Sequence, residues 1–265
     1  MPDILNLRNL SVMYRDAAEP AVRDVTMGVP EKSIVAIVGE SGSGKSTIIR
    51  SIIGLISGGG QVVEGEILFR GQNLAVLSDA EYRRIRGKRI SMIFQDAYST
   101  LDPKKKVGYQ YAEALQAHFD ISNTEARQRA ERMLTRIALP DPKRIMDSYP
   151  FELSGGMIQR VAIAMSMSMQ SELLLADEPT SALDVTVQAQ VVRAMRELRD
   201  EHGTTIILVT HNLGVASYMA DYLAVMYKGR IVDYGPTDEV IDNPKDDYTR
   251  RLIASVPDME VVDYE

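Results

Sequence analysis

The sequence contains no cysteine among its 265 residues. This absence excludes disulfide bonds, thiolate metal sites and redox-active thiols, and it is consistent with a reducing compartment such as the cytoplasm. Long apolar runs are missing too, since no run reaches the roughly 18 residues that a membrane-spanning helix needs. Residues 1–10 alternate apolar with polar side chains and lack the apolar core of a signal peptide. The sequence therefore predicts a chain that reaches a membrane only through a partner.

A surplus of positive charge is also lacking, because the formal net charge is −7. This charge gives no indication of an extended positive surface that would bind nucleic acid or anionic lipid, and we predict no nucleic-acid partner. Local basic clusters are interpreted as solvated faces; they are Arg83, Arg84, Arg86, Lys88, Arg89, Lys104, Lys105 and Lys106. With 45% hydrophobic and 25% charged residues, the composition is that of a folded globular protein.

Hydrophobic periodicity predicts an α/β fold. Strand-like runs alternate with helical patterns along most of the chain, which indicates a mainly parallel sheet with flanking helices. Two early alternating segments, 4–14 and 21–29, predict antiparallel strands. The predicted organisation is a single domain with a core from 1–95 and 161–235, an inserted helical lobe at 96–160 and a C-terminal helical tail at 236–265.

The segment 39–46 reads Gly-Glu-Ser-Gly-Ser-Gly-Lys-Ser and fits the phosphate-binding loop pattern between a strand and a helix. Its glycines let successive amides point at phosphate oxygens, Lys45 reaches the β- and γ-phosphates, and the Ser46 hydroxyl binds magnesium. The alternative, a glycine turn that only caps a helix, would cost folding entropy without a ligand to justify it. The residues predicted to bind ATP here are Gly39, Ser41, Gly42, Ser43, Gly44, Lys45, Ser46 and Thr47.

A second constellation lies at 173–178, where an apolar run ends in two acids. Ligands of parallel sheets bind at the carboxyl ends of the strands. Asp177 therefore suits the shell of a magnesium ion, and Glu178 suits a general base or a residue that orients the attacking water.

The third constellation is Leu-Ser-Gly-Gly-Met at 153–157. Two glycines at a helix start expose amide groups and Ser154 adds a hydroxyl, which gives a second surface for an anion. Taken alone, such a segment is more often an ordinary helix cap.

With these motifs in this order, the sequence resembles the ABC (ATP-binding cassette) ATPase family from end to end. The resemblance implies that Tyr14 stacks on adenine, that Gln95 is the Q-loop glutamine, that 181–184 is the D-loop and that His211 contacts the γ-phosphate. The implied catalytic residues are Glu178, His211, Lys45 and Gln95. The implied magnesium ligands are Ser46, Gln95 and Asp177. The residues implied to face ATP on a second protomer are Ser154, Gly155, Gly156, Met157 and Asp184.

Other interpretations of single residues stay open. Tyr14 could be a packing residue and Gln95 a surface amide. The histidines outside the motifs, His118 and His202, are predicted to face solvent. The family fold implies a phosphate-loop NTPase core, an antiparallel β subdomain and an inserted helical subdomain, with ATP and Mg²⁺ as cofactors.

Within the family the sequence is most similar to the branch for dipeptide, oligopeptide and nickel uptake. The similarity is carried by the 39–46 loop, Ile-Phe-Gln-Asp at 93–96, the segment 149–157 with Met157, and the late Asn-Pro and Tyr-Thr at 243–249. A glycine cluster at 58–60 ahead of Gly-Glu-Ile is typical of the first of two paralogous ATPases. This implies a heterodimer of ATPases, two transmembrane permease subunits, an extracytoplasmic solute-binding protein and a position on the cytoplasmic face of the membrane.

Many members of that branch carry a cysteine-bearing tail that holds an iron–sulfur cluster, which a sequence without cysteine does not provide. The solute stays open between peptide and nickel or another metal chelate. In the implied mechanism two ATPases face head to tail around ATP and act on the permeases through residues 96–109. The rival is a soluble ABC ATPase of the cluster-assembly or DNA-repair type. Against it stand Met157, where the cluster-assembly type has a charge, and the absence of long insertions.

Overall fold

The computed structural model describes residues 2–255, so the stretch 256–265 of the predicted tail lies outside the described residues. The chain forms two compact units, Met1–Arg86 with Thr205–Glu265, and Gly87–Thr204. We call them the first unit and the second unit. The predicted boundaries at 95/96 and 160/161 stay predictions.

The described residues form ten strands, and all but the short β5 lie in apolar or alternating runs of the sequence. They are β1 (Asp3–Met13), β2 (Val22–Pro30), β3 (Ile34–Val38), β4 (Gln61–Phe69), β5 (Gln72–Asn73), β6 (Ile90–Ile93), β7 (Leu173–Asp177), β8 (Thr205–Thr210), β9 (Tyr222–Tyr227) and β10 (Arg230–Pro236).

The helices follow the predicted pattern as well. They are α1 (Lys45–Ile52), α2 (Asp79–Ile85), α3 (Val107–Gln116), α4 (Asn123–Arg136), α5 (Pro142–Asp147), α6 (Gly155–Ser168), α7 (Val185–His202), α8 (Leu213–Met219), α9 (Thr237–Asp242) and α10 (Asp247–Ala254). Short 3₁₀ turns occur at Leu74–Val76, Tyr98–Thr100 and Pro150–Glu152. Among residues 2–255 none of these helices combines the length and apolarity required to cross a bilayer.

The first unit contains an antiparallel sheet and a set of mainly parallel strands. The antiparallel sheet has the order β2-β1-β4-β5, which confirms the antiparallel pairing expected for the two early segments. In the second set, β3 runs parallel to β8 and to β9, while β10 pairs antiparallel with β9. β3 and β8 are buried at every residue, as expected for strands covered on both faces.

The second unit contains the parallel pair β6–β7 and the helices α3 to α7. Its interior is formed by buried apolar side chains of these helices, among them Tyr111, Leu134 and Ile163. The phenol oxygen of the buried Tyr111 lies 2.7 Å from the Ser168 hydroxyl, which satisfies both polar groups inside the packed unit.

Three details of the prediction were wrong. The helical pattern after the phosphate loop predicts a helix over 45–55, but α1 ends at Ile52, because Gly54 takes a left-handed conformation (φ +66°). The periodicity predicts a helix over 187–201, but α7 begins at Val185, because the Asp184 carboxylate accepts a hydrogen bond from the Val187 amide and caps the helix. His118 is half-buried instead of solvent-facing, and burial lowers its pKa, with a further contribution from Lys88.

Candidate nucleotide site

The phosphate loop 39–46 leaves the carboxyl end of β3 and enters α1. Gly39, Gly42 and Gly44 all have positive φ, at +150°, +77° and +105°. A β-carbon on Gly39 would collide with the carbonyl oxygen of Met226, and one on Gly44 with that of Ala21. The loop is therefore both left-handed and closely packed on its outer side, and glycine is the residue type that meets both conditions.

Lys45 is buried, and its ammonium group lies inside the curve of this loop. Nζ donates hydrogen bonds to the carbonyl oxygens of Gly39 at 2.8 Å and Glu40 at 2.7 Å. Gly44 caps α1 without a side-chain hydrogen bond, so no side chain of the cap competes for the first amides of the helix. A positive charge and a helix N-terminus together fit a polyphosphate.

The neighbouring side chains of the loop differ in exposure. Ser41 and Gly42 are exposed, whereas Ser43 is buried, and its hydroxyl has no hydrogen-bond partner among the described residues. A β-carbon on Gly42 would meet nothing within 4 Å. The loop is therefore open to solvent at Ser41 and Gly42, and the Ser43 hydroxyl has capacity for a further hydrogen bond, as expected of a phosphate-binding loop.

Tyr14 lies beside the first turn of α1. Its phenol oxygen is 3.1 Å from the Thr47 hydroxyl. A β-carbon on Gly60 would approach Cε1 of Tyr14 to 2.9 Å, and one on Gly58 would lie 3.8 Å from Cδ1. The glycine turn at 58–60 therefore allows the Tyr14 ring to lie where it does, next to the loop.

His211 lies at the same edge of the first unit. β3 and β8 run parallel, with Val38 paired to Thr210, so the phosphate loop and His211 both follow directly from the carboxyl ends of adjacent strands. His211 is exposed, and Asn212 behind it caps α8 by accepting a hydrogen bond from the Val215 amide at 3.1 Å. The first unit thus brings together the loop, Tyr14 and His211.

The second unit gathers the predicted acids and Gln95 at one sheet edge. β6 and β7 run parallel, with Ile93 paired to Ala176. Asp177 is fully buried, and the next residue, Glu178, has a left-handed backbone (φ +44°). Gln95 Nε2 donates a hydrogen bond of 3.3 Å to a carboxylate oxygen of Glu178. A non-glycine residue at positive φ is strained, and such strain often accompanies a functional role.

The Ser-Gly-Gly segment begins α6 in the same unit. Ser154 caps the helix, with its hydroxyl accepting a long hydrogen bond of 3.4 Å from the Met157 amide. Ser154 and Gly155 are exposed, and a β-carbon on Gly155 would meet nothing within 4 Å. The start of this helix is therefore accessible to a ligand, as an anion site requires.

The D-loop segment 181–184 is held against α6. Gln159 is buried and its Nε2 donates to the Pro179 carbonyl at 2.9 Å. A β-carbon on Gly156 would lie 3.6 Å from Cδ2 of Leu183, an ordinary van der Waals distance. Asp184, predicted to face a second protomer, is exposed at the start of α7. Gln159 contributes to the signature pattern in the sequence, but only the structure shows that its side chain holds the Pro179 carbonyl.

Among residues 2–255 no group of three or more histidine, aspartate or glutamate side chains could hold a metal ion by itself. Mg²⁺ in nucleotide enzymes is usually bound by one or two carboxylates and hydroxyls together with substrate phosphates. A buried carboxylate at Asp177 and a hydroxyl at Ser46 are donors of this kind, so the chemistry of the available residues fits Mg²⁺ brought in with ATP.

Comparison with protein families and sequences places these features in a known group. A family model described as ABC transporter matches residues 22–181. The dipeptide transport ATP-binding protein DppD of Lactococcus lactis is 42% identical over 97% of this chain and 74% of the relative. The oligopeptide transport ATP-binding protein OppD of Bacillus subtilis is 44% identical over 97% of this chain and 73% of the relative.

Solved structures agree. The ATP-binding cassette MJ0796, in a dimeric post-hydrolysis state bound to ADP and Pi, superposes with a TM-score of 0.80 at 30% identity, covering 88% of this chain and 98% of that one. CbiO1 of Clostridium perfringens, part of the transporter complex cbiONQ, gives a TM-score of 0.76 at 27% identity over 97% of both chains. The predicted fold is confirmed, and the chain belongs to the ABC transporter family as an ATP-binding and ATP-hydrolysing cassette.

Proposed function

We propose that the chain powers the uptake of dipeptides and oligopeptides through a membrane transporter. The observation that carries the peptide assignment is the similarity to the two peptide transport proteins, which extends over 97% of the chain at 42% and 44% identity. Met157 and the 58–60 glycine cluster indicate the branch in the sequence, and that branch includes both peptide and nickel uptake, so the choice of peptide rests on these relatives.

We further propose how the residues divide the work. In the first unit the 39–46 loop holds the phosphates, with Lys45 neutralising their charge, while Tyr14 stacks on adenine. Glu178 accepts a proton from the water that attacks the γ-phosphorus, and the bond from that phosphorus to the bridging oxygen breaks to leave ADP. The exposed His211 contacts the γ-phosphate, and Gln95 orients the Glu178 carboxylate. Ser46, Gln95 and Asp177 would hold Mg²⁺, which would supply positive charge to offset the charge of the phosphates.

A second ATPase completes the site in this proposal. The helix start at Ser154, Gly155, Gly156 and Met157, with Asp184, binds the ATP held by the loop of a facing protomer. ATP then joins two cassettes, and its hydrolysis lets them separate. The facing protomer is proposed to be a paralogous ATPase rather than a second copy.

The membrane partners are proposed to be two permease subunits, with an extracytoplasmic solute-binding protein, and the chain then lies on the cytoplasmic face. Exposed aromatic side chains of the second unit support a protein partner there. Tyr98 is 52% exposed, Tyr109 60% and Phe151 61%, and such residues are typical of protein interfaces. Two of them fall in the 96–109 segment expected to act on the permeases.

Transport in cells tests this proposal. Cells lacking the chain are complemented with the wild type or with Glu178→Gln, and uptake of a radiolabelled tripeptide and of a labelled nickel–histidine chelate is measured. We expect the wild type alone to restore tripeptide uptake and neither protein to affect the nickel chelate. Restoration of nickel uptake instead would show that the transported solute is a metal chelate and not a peptide. Tripeptide uptake supported equally by Glu178→Gln would contradict the catalytic role of Glu178.

A further inference from the structure

The late part of the chain contacts the phosphate loop from its outer side, all within the first unit. The Gly229 amide donates a hydrogen bond of 3.0 Å to the Ser43 carbonyl. The phenol oxygen of Tyr248, in α10, accepts a hydrogen bond of 3.0 Å from the Glu40 amide. The second contact joins residues 208 positions apart, and neither the strand–loop–helix motif nor the assigned site residues account for it.

Tyr248 is held rigidly in this place. Its side chain is only 5% exposed, and its ring stacks on Tyr227 with centroids 4.1 Å apart. The helix that carries it is fixed by Asp233, a buried residue whose two carboxylate oxygens accept hydrogen bonds from the amides of Lys245 at 3.2 Å and Asp246 at 3.0 Å. The phenol oxygen therefore has little freedom to follow the loop if the loop moves.

One peptide group connects Tyr248 to Lys45. The amide of Glu40 and the carbonyl of Gly39 belong to the same planar peptide unit. Its N–H donates to Tyr248, and its oxygen accepts from Lys45 Nζ at 2.8 Å. Hydrogen bonds at the two ends of one peptide polarise each other, so loss of one weakens the other.

The phenol suits this role across the physiological pH range. Burial raises the pKa of Tyr248, while the hydrogen bond from Glu40 opposes part of that rise. The group therefore stays a neutral acceptor, and the tie to the loop is not switched by pH near neutrality.

We propose that Tyr248 is a positioning residue for ATP binding, which holds the Gly39–Glu40 peptide so that this peptide in turn holds the Lys45 ammonium inside the loop. The inference rests on the proposed role of the loop in phosphate binding. It adds Tyr248, a residue of the last described helix that belongs to none of the nucleotide-binding motifs, to the elements that set nucleotide affinity.

Removal of one hydroxyl tests the inference. In the purified full chain, Tyr248→Phe keeps the ring on Tyr227 but removes the acceptor for the Glu40 amide. We expect the dissociation constant of a mant-labelled ATP to rise about 3- to 10-fold, the range of a single neutral hydrogen bond. Tripolyphosphate, used as a competitor, should bind more weakly by the same factor, because the loop contacts the phosphates and not the adenine base. Tyr227→Phe is the matched control and should bind as the wild type does.

The readout separates positioning from general destabilisation. A loss of folded protein lowers the number of binding sites and the maximal ATPase rate, but it leaves the dissociation constant unchanged. If Tyr248→Phe folds poorly, Asp233→Asn weakens the anchor of α10 without touching the phenol, and hydrogen exchange of the amides at 39–46 reports on the loop. Faster exchange with weaker binding supports the inference.

Lys45→Ala, measured in the same assays, distinguishes failure of the Tyr248 inference from failure of the proposed phosphate-binding role of the loop. Loss of mant-ATP binding in Lys45→Ala, with unchanged binding and unchanged loop exchange in Tyr248→Phe and Asp233→Asn, overturns the role of Tyr248 alone. Unchanged binding in Lys45→Ala overturns the proposed phosphate loop and the inference with it.

Discussion

The side-chain amide of Gln95 donates a hydrogen bond of 3.3 Å to the carboxylate of Glu178. The two residues follow the carboxyl ends of the parallel strands β6 and β7, and Glu178 is held at φ +44°. This geometry supports the proposed role of Gln95 in orienting the Glu178 carboxylate.

The first prediction concerns these two residues. Glu178→Gln should lower the maximal ATPase rate by roughly 10²- to 10⁴-fold, the contribution of a general base, while ATP still binds. Gln95→Ala should lower the rate by less, because the carboxylate remains but is no longer oriented. Steady-state phosphate release and equilibrium binding of mant-ATP check both. A rate unchanged in Glu178→Gln would remove Glu178 from catalysis.

The second prediction concerns the backbone of the phosphate loop. Gly39→Ala should abolish ATP binding, because the added β-carbon would collide with the Met226 carbonyl in a left-handed conformation. Gly42→Ala is the matched control: it is also left-handed, but its β-carbon would meet nothing within 4 Å. It should bind ATP more tightly than Gly39→Ala does. Equal affinities in the two variants would show that packing on Met226 is unimportant.

The third prediction distinguishes binding of the adenine base from binding of the phosphates. Gly60 has no left-handed backbone to maintain, so Gly60→Ala acts through the clash of its β-carbon with Tyr14 and Ile56. We expect weaker binding of ATP, by about 3- to 10-fold as for partial loss of an aromatic stack, but unchanged competition by tripolyphosphate. Gly235→Ala, whose β-carbon would lie 3.5 Å from Val240, should leave both unchanged. A parallel loss for tripolyphosphate would contradict the role of Tyr14 at the base.

The fourth prediction is a pH dependence of stability. In the second unit Arg136 of α4 pairs with Glu197 and Glu201 of α7, at 3.0 and 2.8 Å. Its hydrogen bond to Glu201 lowers the pKa of that carboxyl below 4.5. A lowered carboxyl pKa stabilises the folded state above the unfolded pKa, and this contribution is lost as the pH falls through the folded pKa.

Arg136→Gln should therefore reduce the free energy of unfolding at pH 7, and the difference from the wild type should shrink below about pH 4.5. Urea unfolding across this range measures it. Arg132→Gln, at an exposed residue of the same helix, is the control and should show a smaller effect at pH 7. A difference that grows on acidification would contradict the assignment.

The sequence predicted the strand–loop–helix at 33–55 and the acids at the end of β7 because these depend on local patterns, namely an apolar run, glycines and a helix start. The end of α1 and the start of α7 were misplaced because single turn and cap residues, Gly54 and Asp184, decided them. Such boundaries depend on one hydrogen bond or one φ angle, which periodicity does not report.

Other features lay beyond local pattern altogether. The left-handed Glu178 and the half-buried His118 depend on packing around them. The contact of Tyr248 with Glu40 joins residues 208 positions apart, and only the folded chain brings them together. Tyr248 had appeared in the sequence analysis solely as part of a branch resemblance, with no role attached.

The central claim is that ATP lies between the phosphate loop of one cassette and the Ser154 helix start of another. Because the chain has no cysteine, Ser154→Cys introduces a single thiol. A second cysteine is placed in the phosphate loop of the facing ATPase of the purified transporter, and cross-linking by a short bismaleimide, which can span the nucleotide, is measured with and without ATP. Both ATPases carry the Gln substitution of the catalytic glutamate, Glu178→Gln in this chain, so that bound ATP is not hydrolysed. The account predicts a cross-link between the two ATPases that requires ATP. Its absence with ATP bound, or a cross-link equally strong without nucleotide, would contradict the account.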